Sequence, residues 1–202
     1  MAQLDLLGSK PLTLVDDHTG LVTYASDVID RESAAGWFDA LLARIDWPDQ
    51  RREMYGRVVD VPRRTAHFVL GAADTTACLM QAARIAEAQT GAVFNSVGLN
   101  LYRNGSDSVA PHNDHLEEIV PGSPIALLSL GATRRMIIRS KQPPRRNFQI
   151  DLDAGSLLVM SYASQKYYDH GVPKTRTATG PRISFAFRCR PVSVAQRAYR
   201  AR

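Results

Sequence analysis

Two early stretches of the chain carry apolar residues at helical spacing. Between about Asp30 and Ile45 the residues Trp37, Phe38, Leu41, Leu42 and Ile45 recur on one face, and Trp47-Pro48 closes the segment. A second predicted helix begins near Asp74 or Thr75, either of which can cap it. It runs through Leu79, Met80, Ala83 and Ala86 to a Thr90-Gly91 stop. Both apolar faces suit packing against a core.

From Phe94 onward the pattern changes to short apolar or alternating runs. Asn104-Gly105, Pro121-Gly122, Pro143-Pro144 and Asp153-Ala154-Gly155 punctuate them, which predicts a β-sandwich or barrel. The last run, Arg182 to Arg188, alternates cleanly. On a strand Arg182, Ser184, Ala186 and Arg188 share one face, and Ile183, Phe185 and Phe187 share the other. The chain therefore reads as mainly β with flanking helices, an α+β arrangement.

The chain has 202 residues, 45% of them hydrophobic and 22% charged, enough for a substantial core in a single domain over 1–202. Neither a basic leader with an apolar core nor a spanning apolar run is seen, so the sequence predicts no membrane partner and a cytoplasmic, intracellular location. Cys78 and Cys189 are too few for a disulfide framework and read as free thiols. A net charge of +5 favours an anionic partner, and arginine pairs such as Arg51-Arg52, Arg63-Arg64 and Arg145-Arg146 are compatible with a phosphate backbone.

The chemistry lies in a few polar positions. On an extended segment His112 and Asp114 project to the same side, because side chains alternate. With a second imidazole from His170, at the end of the Tyr167-Tyr168-Asp169-His170-Gly171 stretch, they form the 2-His-1-carboxylate pattern of Fe(II) sites that activate oxygen. Arg182 and Arg188 together require a carboxylate or phosphate partner if they are buried. Taken alone, that strand reads as a sheet edge with two solvated arginines. Joined to the histidines, it points to an anionic co-substrate.

These residues occur in an ordered series: Asn100-Leu101-Tyr102, His112-Asn113-Asp114, Ser129-Leu130-Gly131-Ala132-Thr133-Arg134, His170-Gly171-Val172-Pro173-Lys174 and Pro181-Arg182 through Arg188. In order and spacing, from about Met54 to Cys189, the chain resembles the AlkB-type Fe(II)/2-oxoglutarate dioxygenases, which oxidatively remove alkyl groups from nucleic-acid bases. The resemblance implies a double-stranded β-helix, or jelly-roll, core over 91–190, with helices and a substrate-recognition hairpin over 1–90.

The resemblance also implies roles. His112, Asp114 and His170 become the catalytic iron ligands, and Asn100, Tyr102, Arg182 and Arg188 bind 2-oxoglutarate. Tyr55 and Gly56 match an aromatic-Gly turn that enters the base stack when a nucleotide is flipped out, and Arg63 follows in the adjoining stretch. The implied reaction is oxidative demethylation of N-alkylated bases, using Fe(II), 2-oxoglutarate and O2 and releasing succinate, CO2 and formaldehyde. The expected partner is alkylated nucleic acid, DNA ahead of RNA, acted on by a monomer. Alternatives are an oxygenase of the same family acting on RNA or protein, and a noncatalytic nucleic-acid-binding jelly roll. Two departures stand out. His115 and Leu116 occupy positions where relatives carry an acidic pair, and Ser184 and Ala186 stand where they often carry Asn and Thr.

Overall fold

The structure is a computed structural model that describes residues 10–54 and 56–191. Among the described residues thirteen strands form three antiparallel sheets. The larger sheet contains β1 (Leu12–Asp17), β2 (Gly20–Ala25), β5 (Arg64–Val69), β6 (Ser96–Tyr102), β8 (Ile125–Gly131), β11 (Leu157–Met160) and β13 (Arg182–Arg188), in the order β1-β2-β11-β8-β13-β6-β5. The smaller sheet runs β10-β9-β12-β7, with β7 Val109–His112, β9 Arg134–Ser140, β10 Asn147–Leu152 and β12 Tyr168–Val172. The hairpin β3 (Arg51–Met54) and β4 (Arg57–Asp60) forms its own two-stranded sheet.

Strand alternation sorts the core into two layers. Val97, Leu99, Leu101, Leu128, Ile183, Phe185 and Phe187 cover one face of the larger sheet and pack against helices α1 (Arg31–Arg44) and α2 (Ala77–Thr90). The opposite face contributes Val22, Tyr102, Ile125, Leu127 and Ala186, which meet Met136, Ile138, Tyr168 and Val172 from the smaller sheet. Two apolar layers with the larger sheet between them give the jelly-roll sandwich braced by helices.

The helix boundaries follow local chemistry. Asp30 caps α1 by accepting from the Ser33 N–H at 2.9 Å. The cap of α2 is Thr76, not Asp74 or Thr75, because the Thr75 hydroxyl donates to the Val69 carbonyl at 2.8 Å. Gly91 ends α2 at φ 67°, the left-handed conformation a glycine adopts without strain. The division at residue 91 also needs correction. Strands β1, β2 and β5 precede it and belong to the larger sheet, so the core is assembled from both halves of the chain. The alternation in Leu12–Asp17 is too short to mark a strand until β2 lies beside it and β11 beside β2.

Candidate active site

A cavity of about 920 Å³ opens between the sheets. Its floor is the polar face of β6 and β13. Tyr102 lies opposite Arg182 and Asn100 opposite Ser184 in this antiparallel pair. The Arg63 Nε donates to Asn100 Oδ1 at 2.8 Å, which joins the segment after β4 to the floor.

Arg182 is 0% exposed. Its Nη2 donates to the Ser129 hydroxyl at 2.8 Å, and its guanidinium lies 5.3 Å from the Tyr102 ring centre. Its buried Nε and Nη1 have no hydrogen-bond partner. Burial draws its pKa down to about 10, and Arg134 adds to the effect. Arginine nevertheless keeps its proton at working pH, so a cation stands buried here. Burial also pushes the Tyr102 phenol up.

Arg134 is a useful contrast. It is also buried beside Tyr102, 5.5 Å from the ring centre, but the carbonyls of Asn104, Asp107 and Pro173 accept its N–H groups. One guanidinium is therefore paired with carbonyls, whereas the other keeps two donors available. A carboxylate accepts strongly from such a charged donor.

The side wall carries the histidines. His170 on β12 and His112 at the end of β7 are directly paired across the strands, with ring centres 4.6 Å apart. His170 is 4% exposed, and burial, reinforced by His112, lowers its pKa to about 4. Its imidazole is thus neutral, the form that ligates metal. The His112 Nδ1 lies 3.0 Å from the Ala110 carbonyl, a contact that favours a proton on Nδ1 and leaves Nε2 as a lone-pair donor.

Asp114 follows β7 and is buried. Its two carboxylate oxygens accept from Arg188, at 2.7 Å from Nη2 and 3.2 Å from Nε. Burial raises its pKa, but Arg188, and after it His170 and His112, outweigh that effect and hold it below the ordinary carboxylate range. Asp114 is thus within electrostatic reach of both imidazoles. Among the described residues no three His, Cys, Asp or Glu side chains are gathered into a ready-made metal cage.

The chemistry of the donors fits the implied groups. Two adjacent imidazoles with a nearby carboxylate suit Fe(II), and the orphaned N–H groups of Arg182 suit a carboxylate of 2-oxoglutarate.

Recognition residues are less closely gathered. Arg63, His67, Phe68 and Asp74 line the cavity. Gly56 occupies the β3–β4 turn at φ 72°, and Tyr55 lies outside the described residues. His115 is exposed and faces Glu117 at 3.1 Å, while Arg190 holds Glu118. His18 is exposed, with its ring 6.4 Å from that of Tyr167. Sequence reasoning gave no role to Ser129 or Arg134, although both lie in the quoted Ser129–Arg134 run. It also passed over Gln165, whose side chain accepts from the Asp114 N–H at 2.9 Å, and Lys141, which holds Asn113 at 2.8 Å.

A family model for the 2OG-Fe(II) oxygenase superfamily matches residues 21–188. Among curated proteins, the chain is 42% identical over 110 residues to alpha-ketoglutarate-dependent dioxygenase alkB homolog 3 of Homo sapiens, covering 50% of this chain and 38% of that protein. It is 37% identical over 106 residues to DNA oxidative demethylase ALKBH2 of Homo sapiens, covering 49% of this chain and 41% of that protein. The chain spans less than half the length of either relative. Among solved structures, the one described as the structure of OsALKBH1 superposes with a TM-score of 0.64 at 11% identity, covering 88% of this chain and 100% of that one.

Proposed function

The chain belongs to the 2OG-Fe(II) oxygenase superfamily, and from that premise we propose that it oxidatively removes alkyl groups from nucleic-acid bases, DNA ahead of RNA. One observation carries the reading: an adjacent pair of imidazoles with a carboxylate beside it shares a cavity with a buried guanidinium whose Nε and Nη1 have no hydrogen-bond partner. The family's chemistry requires Fe(II), 2-oxoglutarate and O2. Relatives named for oxidative demethylation of DNA support the substrate class.

In this reading His112, His170 and Asp114 hold Fe(II). When bound with 2-oxoglutarate and O2, the metal supplies the oxidant that hydroxylates an N-alkyl carbon. Arg182 holds a co-substrate carboxylate through its unpartnered Nη1, while Nη2 is fixed by the Ser129 hydroxyl. Arg188 keeps Asp114 ionised. Tyr102 and Asn100 complete the co-substrate floor, with Asn100 steadied by Arg63. For an N-methyl base, the hydroxylated carbon leaves as formaldehyde, and the second oxygen atom ends in succinate as 2-oxoglutarate loses CO2.

The β3–β4 hairpin is the proposed nucleic-acid contact, with Gly56 in its turn, Tyr55 beside Gly56 in the sequence, and Arg63 at its base. No helix among the described residues is long and apolar enough to cross a membrane. We assign the chain to the cytoplasm, as a monomer.

The test is mass spectrometry of N-methylated DNA and RNA oligonucleotides after aerobic incubation with protein, Fe(II) and 2-oxoglutarate, with succinate quantified in parallel. Demethylation matched one-to-one by succinate, and faster on DNA, is the expected result. Succinate without base repair would redirect the enzyme to RNA modifications of another kind or to protein. Neither product from iron-loaded protein would leave a binding module.

A further inference from the structure

The turn bearing Asp114 is held by groups outside the cavity. Gln165 is 2% exposed, in the four-residue helix α3 (Ser164–Tyr167) just ahead of β12, the strand that carries His170. Its Oε1 accepts from the Asp114 N–H at 2.9 Å. Its Nε2 is engaged by the Ser164 hydroxyl at 3.4 Å and the Met160 sulfur at 3.8 Å, which fixes the amide's orientation.

Lys141 completes the junction. Its ammonium donates to Asn113 Oδ1 at 2.8 Å and to the Gln165 carbonyl at 2.7 Å, while its backbone N–H donates to Tyr167 at 2.8 Å. The residue between His112 and Asp114 and the backbone of Asp114 are thus both fastened to the segment leading into His170. Burial lowers the Lys141 pKa, with Asp169 opposing.

We propose that Gln165 and Lys141 are positioning residues that set the placement of Asp114 relative to His170, and so tune metal affinity without touching the metal. The inference rests on the iron reading above. Arg188 grips the Asp114 side chain and Gln165 its backbone, so the rotation of the carboxylate is decided from both ends. Groups one step removed from a metal ligand commonly change affinity by about 10- to 100-fold when removed.

Cobalt(II), a spectroscopically visible stand-in for Fe(II), provides the test. Titration of the full chain, followed by the cobalt d–d bands, is paired with thermal unfolding of the metal-free protein. Gln165→Met and Lys141→Met should each weaken cobalt binding by about 10- to 100-fold and shift the bands. Gln165→Glu, which keeps an acceptor for the Asp114 N–H, should recover much of the affinity. If Gln165→Met does not fold, the less buried Lys141→Met carries the test. Folded variants that bind cobalt within twofold of the unaltered protein, with unchanged bands, would overturn the inference and leave the metal reading standing. No cobalt uptake by the unaltered protein would overturn both.

Discussion

The cavity floor and the hairpin beside it meet solvent in opposite ways. The floor is built on β6 and β13, long strands with paired neighbours on both sides, and it buries a cation completely. The hairpin β3–β4 pairs only with itself, and Val58 on it is 69% exposed. A fixed floor suits chemistry whose reacting atoms must be held in register. A thin, exposed ribbon beginning and ending near cavity-lining Gln50 and Arg63 suits contact with a large partner.

If this contrast is right, damage to the wall and floor should stop the chemistry whatever the substrate, and damage to the hairpin should affect only recognition. The largest effect is expected from His170→Ala or Asp114→Ala. Either should reduce succinate formation by at least about 100-fold, more than the loss of an outer partner costs, with circular dichroism unchanged. Normal turnover in either variant would remove it from the ligand set.

Arg182→Met comes next. Losing hydrogen bonds from a charged donor, worth about 1.5–3 kcal/mol, should raise the 2-oxoglutarate KM roughly 10- to 100-fold. The same change removes a buried cation that lacks an anion, so the metal-free variant should unfold no earlier than the original. In the original, 2-oxoglutarate with metal should raise Tm by mass action, and the variant should lose that rise. An unchanged KM would free Arg182 from the anchor role.

Tyr55→Ala tests the other side of the contrast. It should slow repair of duplex substrate several-fold more than single strand, because stack entry offsets only part of a few kcal/mol of unstacking. Equal slowing of both, or a parallel fall in 2-oxoglutarate use, would blur the distinction between hairpin and floor.

The smallest effect concerns the support beneath. Burial raises the Asp107 pKa, but the Arg103 side chain and backbone N–H outweigh it and hold the carboxyl below its ordinary range. A depressed folded-state pKa gives stability that is present above the unfolded value near 4 and lost as pH falls through the folded one. Asp107→Asn should therefore flatten the acid limb of urea midpoints below about pH 4. Because Arg103 is partly solvated, the contribution is about 1 kcal/mol. An acid limb identical in both proteins would assign the loss to other carboxylates.

What the sequence makes legible is local or periodic. The alternation of Arg182–Arg188 foretells which side chains face the helices and which face the cavity, and the structure shows that division. The Gly91 stop is equally local. Contacts made across the fold are not legible in this way. Arg188 takes both oxygens of Asp114, 74 residues away, and Gln165 reaches the Asp114 backbone across 51. Neither pairing has a spacing rule, because sheet order sets it. The same holds for β1 and β2, whose place becomes evident only once β11 lies beside β2.

Gly171, next to His170, has no functional group to contribute. A Cβ there would lie 2.8 Å from the Val109 carbonyl oxygen and 2.9 Å from the Pro111 nitrogen, backbone atoms that have no side-chain freedom to move aside. Any larger residue would act as a wedge between β12 and β7 and spread the jaws that carry the two imidazoles. The bite of the site is thus gauged by an atom the chain omits, and an engineer wishing to widen it for a larger ion would begin at that glycine.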